Sequence, residues 1–510
     1  MEVLWLLILL SLFLPAAIFF LLSPSKRRAL PPGPPSFPLI GNLQWLRYSL
    51  TNIEPLLKQL RPRYGPIFAL RLGSHLTIFI SDRRVAHKAL VEHGAAFADR
   101  PASGKVTRVL NSNQHNISFA RYGPLWRLLR RNLAAEILHP AKIGLFAPGR
   151  EWVLGVLFRD LRSKSEAAAG GAVVAMESFQ FAMFCLLVLM CFGEKLEEKA
   201  IRDIQSAHRE LLLYTSKLNV FIFFPVIAKH IFRNRWEMMM RLRQRQFDIF
   251  VPLIRTRKEH KENQRGSEDG ARFVHSYVDS LLDINLPEDG GRKLTEEEMV
   301  TLCSEFFTAG TDTTATALQW IMAELVKRQE VQRRLLEEIE SVAGEEIIKE
   351  EDLQRMPYLK ALIMEGLRRH PPAHFVLPHS VTEEVELEGY VIPKNARINF
   401  MVAEMGWDEK LWEDPMEFRP ERFMAGGEGE GVDITGSREI KMMPFGVGRR
   451  MCPGLGLAIL HLEFFVANLV REFEWTSVEG EEVDFSEKPQ FTVVMKNPLQ
   501  ARLLPRRKQT

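Results

Sequence analysis

Cysteine is scarce: 510 residues hold four, Cys185, Cys191, Cys303 and Cys452. Four scattered thiols are too few for a disulfide scaffold and suit a reducing compartment. A dominant charge sign is also missing. Lys and Arg total 67 against 64 Asp and Glu, a net charge of +3. That balance gives no reason to expect a nucleic-acid partner. No glycine-rich G-x-G-x-x-G fingerprint is present, so the chain brings no dinucleotide-binding unit of its own. No internal repeat is visible, and no compositional break divides the chain beyond residue 36. What remains is ordinary globular composition, 46% apolar and 26% charged. A chain of this length can bury a large core and still house a big ligand.

One long apolar run is present. Val3 to Leu22 is apolar apart from Ser11, with a single Pro15. About 20 helical residues at ~1.5 Å rise cover ~30 Å, the thickness of a bilayer core. Lys26, Arg27 and Arg28 follow, and the positive-inside rule then leaves the rest of the chain in the cytosol. The rival is a cleaved signal peptide. Against it stand Glu2, the lack of a basic residue before the run, and the run's length. The Asn116-Ile117-Ser118 sequon becomes a chance match, because a cytosolic domain never meets the glycosylation machinery. Pro31-Pro32-Gly33-Pro34-Pro35 resists helix and sheet and reads as a stiff spacer. The expected division is a membrane anchor helix over 1–25, a basic and proline-rich hinge over 26–36, and the main domain over 37–510.

Within that domain the patterns are mostly helical from about 120 to 345. Gly65 to Ile80 reads as a hairpin, and strand-like runs return at Val385 to Ile392 and Gln490 to Val494. Glu259 to Gly270 and Ala425 to Gly436 read as surface loops, and Pro287 to Lys293 as a break. Thr295 with Glu298 spells a capping box ahead of a long apolar stretch. The fold class is mainly α with small β-sheets, preceded by a transmembrane helix.

The densest chemical signal is Phe445-Gly446-Val447-Gly448-Arg449-Arg450-Met451-Cys452-Pro453-Gly454, just ahead of an amphipathic stretch from Leu455 to Val470. A helix N-terminus and nearby arginine lower a thiol pKa. Glycines let backbone approach a flat ligand closely. The pattern points to a reactive or metal-bound thiolate; a buried structural cysteine is the alternative. Ala309-Gly310-Thr311-Asp312-Thr313-Thr314 lies inside the helix that Thr295 opens. An acid beside an alcohol can relay protons into a dry site, whereas a Thr-rich kink in a core helix is the plainer reading. Glu365 and Arg368 share a helix face, at first sight a surface pair of ~0.3 kcal/mol. Trp126 and Arg130 lie one turn apart on a basic amphipathic stretch.

The ten-residue cysteine string resembles the haem-binding signature of the cytochrome P450 family, F-x-x-G-x-R-x-C-x-G, at every specified position. The other motifs follow in that family's order, and their spelling looks most like a plant A-type microsomal member. The resemblance implies a cytochrome P450 fold, with 37–510 as a haem-binding catalytic domain. It implies haem b (iron protoporphyrin IX) with Cys452 as the axial thiolate. Thiolate ligation pushes electron density onto iron and favours O–O cleavage. Arg450, Trp126 and Arg130 would then meet haem propionates, Phe445 would pack near the sulfur, and Asp312 with Thr313 would be the acid–alcohol pair. Glu365, Arg368 and Arg422 of Pro420-Glu421-Arg422-Phe423 resemble the family's buried structural triad. His379 stands where many relatives carry a propionate-binding arginine; it can still donate, with a charge that depends on pH. Trp407 stands where plant members usually show arginine.

The activity implied is O₂- and NADPH-dependent monooxygenation of a small lipophilic substrate, with electrons from a separate NADPH–cytochrome P450 reductase. Arg127, Arg130 and Arg131 would offer that partner a basic face. The alternative is a reductase-independent haem-thiolate isomerase or dehydratase, against which the intact Asp312–Thr313 pair counts. The implied setting is the endoplasmic reticulum membrane, single-pass, with the catalytic domain facing the cytosol and lipid around the anchor. Substrate-recognition segments placed by resemblance are Lys105 to Ser118, Leu218 to Ile227, His374 to Leu377 and Phe491 to Val494. The second is aromatic, with Phe221, Phe223 and Phe224, and reads either as an apolar entrance or as a segment dipping into the bilayer. Asn111 to His115 reads as polar substrate contacts or as plain loop.

Overall fold

The computed structural model describes residues 30–36, 41–42, 53–72, 75–168, 171–218, 221, 231–264, 275–344 and 346–506. Its long helices, in chain order, are α1 (Glu54–Tyr64), α2 (Pro124–Glu136), α3 (Ala147–Ala167), α4 (Met176–Phe192), α5 (Glu198–Tyr214) and α6 (Arg233–Gln264). They continue with α7 (Tyr277–Asp283), α8 (Glu296–Lys327), α9 (Gln329–Ala343), α10 (Pro357–Arg369) and α11 (Leu455–Glu472). Helix α4 is apolar on all sides and nearly every residue is buried, as expected of a helix at the centre of a fold. Helix α8 packs along it, and one apolar cluster joins α2, α3, α4, α8, α10 and α11.

The capping box forms as spelled. Thr295 Oγ1 accepts from the Glu298 amide, and a Glu298 carboxylate oxygen accepts from the Thr295 amide. From that start α8 runs unbroken to Lys327. Gly310 lets it approach α4, since a Cβ there would lie 2.8 Å from Leu187 Cδ1.

Small sheets flank the helices. The hairpin is Ile67–Leu72 against His75–Ile80, registered from Ile67↔Ile80 to Leu72↔His75. Arg397–Phe400 adds to it in parallel, and His379–Ser380 completes the four-stranded sheet. A second sheet joins Phe473–Thr476, Gln500–Pro505 and Ala172–Val174. The expected strand at Gln490 to Val494 starts later, as Val493–Met495 paired with Glu487–Pro489.

One expectation changes. Helix α6 continues through Glu259 to Gln264 instead of giving way to a loop. Its Lys, Glu and Gln residues are good helix formers, and Lys261 Nζ is tied to the Asp279 carbonyl and Asp283 carboxylate, both at 2.6 Å. The remainder, 265–270, lies outside the described residues. The proline-rich spacer is not free-standing. Ala69 N donates to Pro32 O at 2.8 Å, and Asn42 Nδ2 donates to Pro34 O at 2.7 Å and Pro35 O at 2.8 Å. Gly33 fits because it has no side chain: a Cβ would lie 2.0 Å from Ala69 O. The anchor expected over 1–25 lies outside the described residues, among which no helix is long and apolar enough to cross a membrane.

Candidate active site

The segment from Phe445 to Gly454 folds back on itself ahead of α11. Cys452 N donates to Phe445 O at 2.8 Å, and the Phe445 ring packs on the main core. Gly446 and Gly448 turn the chain with φ of +68° and +75°. Gly448 also lets the loop dock, since a Cβ would meet Leu90 O at 2.1 Å. Burial pushes the Cys452 thiol up, while the Gly454 amide and the Arg130 guanidinium pull it back down. The positive end of α11 acts in the same downward sense.

Helix α2 brings Trp126 and Arg130 to this loop. Arg130 Nη2 donates to Met451 O at 2.5 Å. Trp126 is buried and its indole N–H has no partner among the described residues. The Arg450 guanidinium lies 4.4 Å from the Trp126 ring centroid. It donates to Ala98 O at 2.7 Å, Ile117 O at 3.1 Å and Ala120 O at 2.6 Å. Arg100, which the motifs did not mark, donates to Ser118 O and Leu377 O, both at 2.7 Å. Burial, with Arg100 nearby, holds His379 near pKa 3. Its Nδ1 lies 2.6 Å from Phe97 O. A carbonyl only accepts, so Nδ1 carries the proton of the neutral ring and Nε2 offers a lone pair. A donor role for His379 at Nε2 therefore requires a second proton.

On α8 the chain faces an internal space. Ala309 is exposed although Phe307 and Thr311 beside it are buried. A residue mid-helix in the centre of a fold can be exposed only to a cavity. Thr313, one turn further, is also open, and its Oγ1 donates to Ala309 O at 2.5 Å. Asp312 turns the other way and is buried. Its Oδ1 accepts from Gln180 Nε2 at 2.8 Å and Arg209 Nη1 at 3.0 Å. Neither partner was found from the sequence. Gln180 had a signal, as the one polar residue in a run that is otherwise apolar from Phe179 to Phe192; Arg209, on the charged α5, had none.

Glu365, Arg368 and Arg422 are fully buried together. Arg368 grips Glu365 with Nε to Oε2 at 2.7 Å and Nη2 to Oε1 at 2.8 Å. Arg422 Nε reaches Oε1 at 3.3 Å, and Arg419 N donates to it at 2.8 Å. Arg368 Nη1 also binds Gly406 O and Pro415 O, both at 2.8 Å. Nearby, Trp407 Nε1 donates to Arg369 O at 3.0 Å, and the His374 ring stands edge-on to it at 5.2 Å.

The recognition segments come out unevenly. In Asn111 to His115 the side chains of Ser112, Gln114 and His115 are used internally: Ser112 Oγ lies 2.6 Å from Thr301 Oγ1, Gln114 Nε2 donates to Phe119 O at 2.7 Å, and His115 Nδ1 lies 2.6 Å from Glu298 Oε1. Asn116 is buried, with Oδ1 accepting from Phe119 N at 3.2 Å. Leu377 and Phe491 are exposed apolar groups. Leu218 and Phe221 are buried against Val106 and Met239; the other residues from 219 to 227 lie outside the described set.

These residues fit a haem. The thiol sits just ahead of a helix start, where the thiolate, the form that binds metal, is favoured. A buried indole N–H without an acceptor is rare in a finished core and wants an oxygen such as a carboxylate's.

The comparisons agree with that chemistry. The cytochrome P450 family model matches residues 31–504. Cytochrome P450 89A9 of Arabidopsis thaliana is 48% identical over 510 residues, covering 98% of this chain and 97% of that one. Flavonoid 3'-monooxygenase of the same plant is 34% identical, covering 94% and 93%. A zebra fish cytochrome P450 solved with progesterone superimposes with a TM-score of 0.71 at 22% identity, over 89% of this chain and all of that one, which speaks for the fold. The chain belongs to the cytochrome P450 family of monooxygenases.

Proposed function

We propose that this chain inserts one oxygen atom from O₂ into a small lipophilic substrate, using NADPH electrons delivered by a separate reductase. The observation that carries this reading is the pairing of two features: the Cys452 loop, and an acid–alcohol pair on the cavity-facing stretch of α8. When bound, haem b supplies oxygen activation, with a thiolate ligand favouring O–O cleavage. Cys452 would be that ligand, and Trp126, Arg130 and Arg450 would orient the group; His379, neutral with its proton on Nδ1, offers Nε2 only as an acceptor. Thr313 keeps its hydroxyl at the cavity edge, its own proton held on Ala309 O, so its lone pairs can accept there. Asp312 is fixed through Oδ1 alone, which leaves Oδ2 to exchange a proton with solvent beside the half-exposed Arg209. Exposed Leu377 and Phe491 favour an apolar guest. An isomerase or dehydratase would have no use for the pair.

The same reading keeps residues 1–25 as a single-pass anchor in the endoplasmic reticulum membrane, 26–36 as its hinge, and the rest as the cytosolic catalytic domain. The test is a balance of NADPH, product and peroxide on Thr313→Ala, using a substrate found by its shift of the haem absorbance. The variant is expected to keep haem and to oxidise NADPH, with product per NADPH falling and peroxide rising. Asp312→Asn is expected to slow turnover more than it alters substrate affinity. Unchanged coupling in Thr313→Ala would overturn the assignment of the pair.

A further inference from the structure

The last turns of α6, helix α7 and the start of α8 meet around a pocket of about 390 Å³. That volume lies within the range of small-molecule sites. The short hairpin of Asn285–Leu286 against Arg292–Lys293 borders it. No part of the mechanism above uses it. Met299, in its wall, stands ten residues before Ala309 on α8, about 15 Å along the helix axis.

The floor is apolar. Ile254 of α6, Leu281 of α7, Leu294 and Met299 line it, and all four are otherwise buried in the fold. Such a surface favours hydrocarbon over water. The rim is charged and unevenly paired. Four cations, Arg255, Lys258, Lys261 and Lys293, face three carboxylates, Glu262, Asp283 and Glu296. Two of the carboxylates are taken. Arg255 holds Glu296 with Nε to Oε1 at 2.7 Å and Nη2 to Oε2 at 2.9 Å, and Lys261 holds Asp283 at 2.6 Å. Lys293 Nζ donates to a carbonyl, Asp283 O, at 3.2 Å. Among the described residues no ion pair joins Lys258 or Lys293 to a carboxylate. Glu262 stands one turn beyond Lys258 on α6, the less favourable order for an i, i+4 pair. The rim thus carries one more positive charge than negative, above an apolar floor.

We propose that this pocket binds a small amphiphilic monoanion, an apolar tail carrying one carboxylate, with the tail on the Ile254–Met299 floor and the head paired with Lys258 and Lys293. A neutral head leaves both ammonium groups to water. A phosphate dianion meets added repulsion from Glu262, Asp283 and Glu296. The site stands apart from Cys452 and Thr313, so its guest leaves the haem absorbance unchanged.

The test uses the full-length haem protein in lipid nanodiscs and decanoate bearing a diazirine on its tail. The probe is photolysed and its label mapped by peptide mass spectrometry, with the haem absorbance read beforehand. Label is expected on the peptides holding Leu281 and Met299, with no shift of the haem band. Unlabelled decanoate should suppress it, and decanol at the same concentration should not. Lys258→Glu should lower that label about tenfold, an attraction having become a repulsion, while Lys258→Arg stays within about twofold. Leu282→Trp, which fills the pocket from its side, should lower it with no change of charge. Label that ignores Lys258→Glu, or that decanol suppresses equally, would overturn the anionic head. No label on these peptides, or label accompanied by a shift of the haem band, would overturn the site.

Discussion

Truncating Glu365 tests how the buried triad is wired. Glu365→Ala strips Arg368 of two charge-assisted bonds, at 2.7 and 2.8 Å, and leaves that guanidinium buried with carbonyl partners only. Arg422 loses its 3.3 Å contact but keeps Glu428 at 2.6 Å and Asp414 O at 2.8 Å. The orphaned cation dominates, and the expected cost is about 4 kcal/mol. Arg422→Ala is gentler, because Glu365 stays gripped by Arg368 and Arg419 N; about 2 kcal/mol is expected. The assay is denaturant unfolding of both variants, followed by tryptophan fluorescence. The carbon monoxide band of the reduced protein should be read alongside. That band should fall furthest in Glu365→Ala, since Arg368 also pins Gly406 and Pro415 ahead of the cysteine loop. A cost for Arg422→Ala equal to or above that for Glu365→Ala would refute this wiring.

Cys452→Ser should abolish the red-shifted carbon monoxide band while circular dichroism keeps its helical signal; a surviving band would remove Cys452 as the ligand. Glu463 is buried on α11 and its carboxyl is raised to about 7 by burial. With the folded value above the unfolded one, its stabilising share is complete below about pH 4.5 and lost as pH climbs through 7. Glu463→Gln should therefore match wild type in unfolding midpoint at pH 4.5 and exceed it at pH 8, by up to about 3 kcal/mol. Equal midpoints at pH 8 would show that the carboxylate finds compensation.

The cysteine loop was legible because its chemistry needs fixed residue types at fixed spacing: glycines where φ is positive, cysteine where a helix begins. The Thr295–Glu298 cap was legible for the same reason, both partners lying within one turn. Glu365 and Arg422, 57 positions apart in the chain, could be joined only through resemblance, since nothing local marks a pair that tertiary packing creates. Glu305 on α8, whose carboxylate accepts from the amides of Ile117 and Ser118 at 2.8 and 2.6 Å, was invisible for a different reason. Its partners are backbone amides, which every residue but proline possesses, so no spelling records them. The charge of Glu259 to Gln264 misled because polarity signals exposure, and an exposed helix is as polar as a loop. The neutral tautomer of His379 is likewise set by one carbonyl far along the chain.

The seating of Gly33 against Ala69, with Asn42 stapling Pro34 and Pro35, turns a spacer into a lever arm. A tether would let the domain swivel and absorb any tug by uncoiling. This segment has no slack between Pro32 and the hairpin strand Ile67–Leu72. Torque applied ahead of it arrives as shear across a sheet whose far strand carries His379. The attitude of residues 30–36 to the domain is thus built into the same ladder of hydrogen bonds that holds the His379 strand.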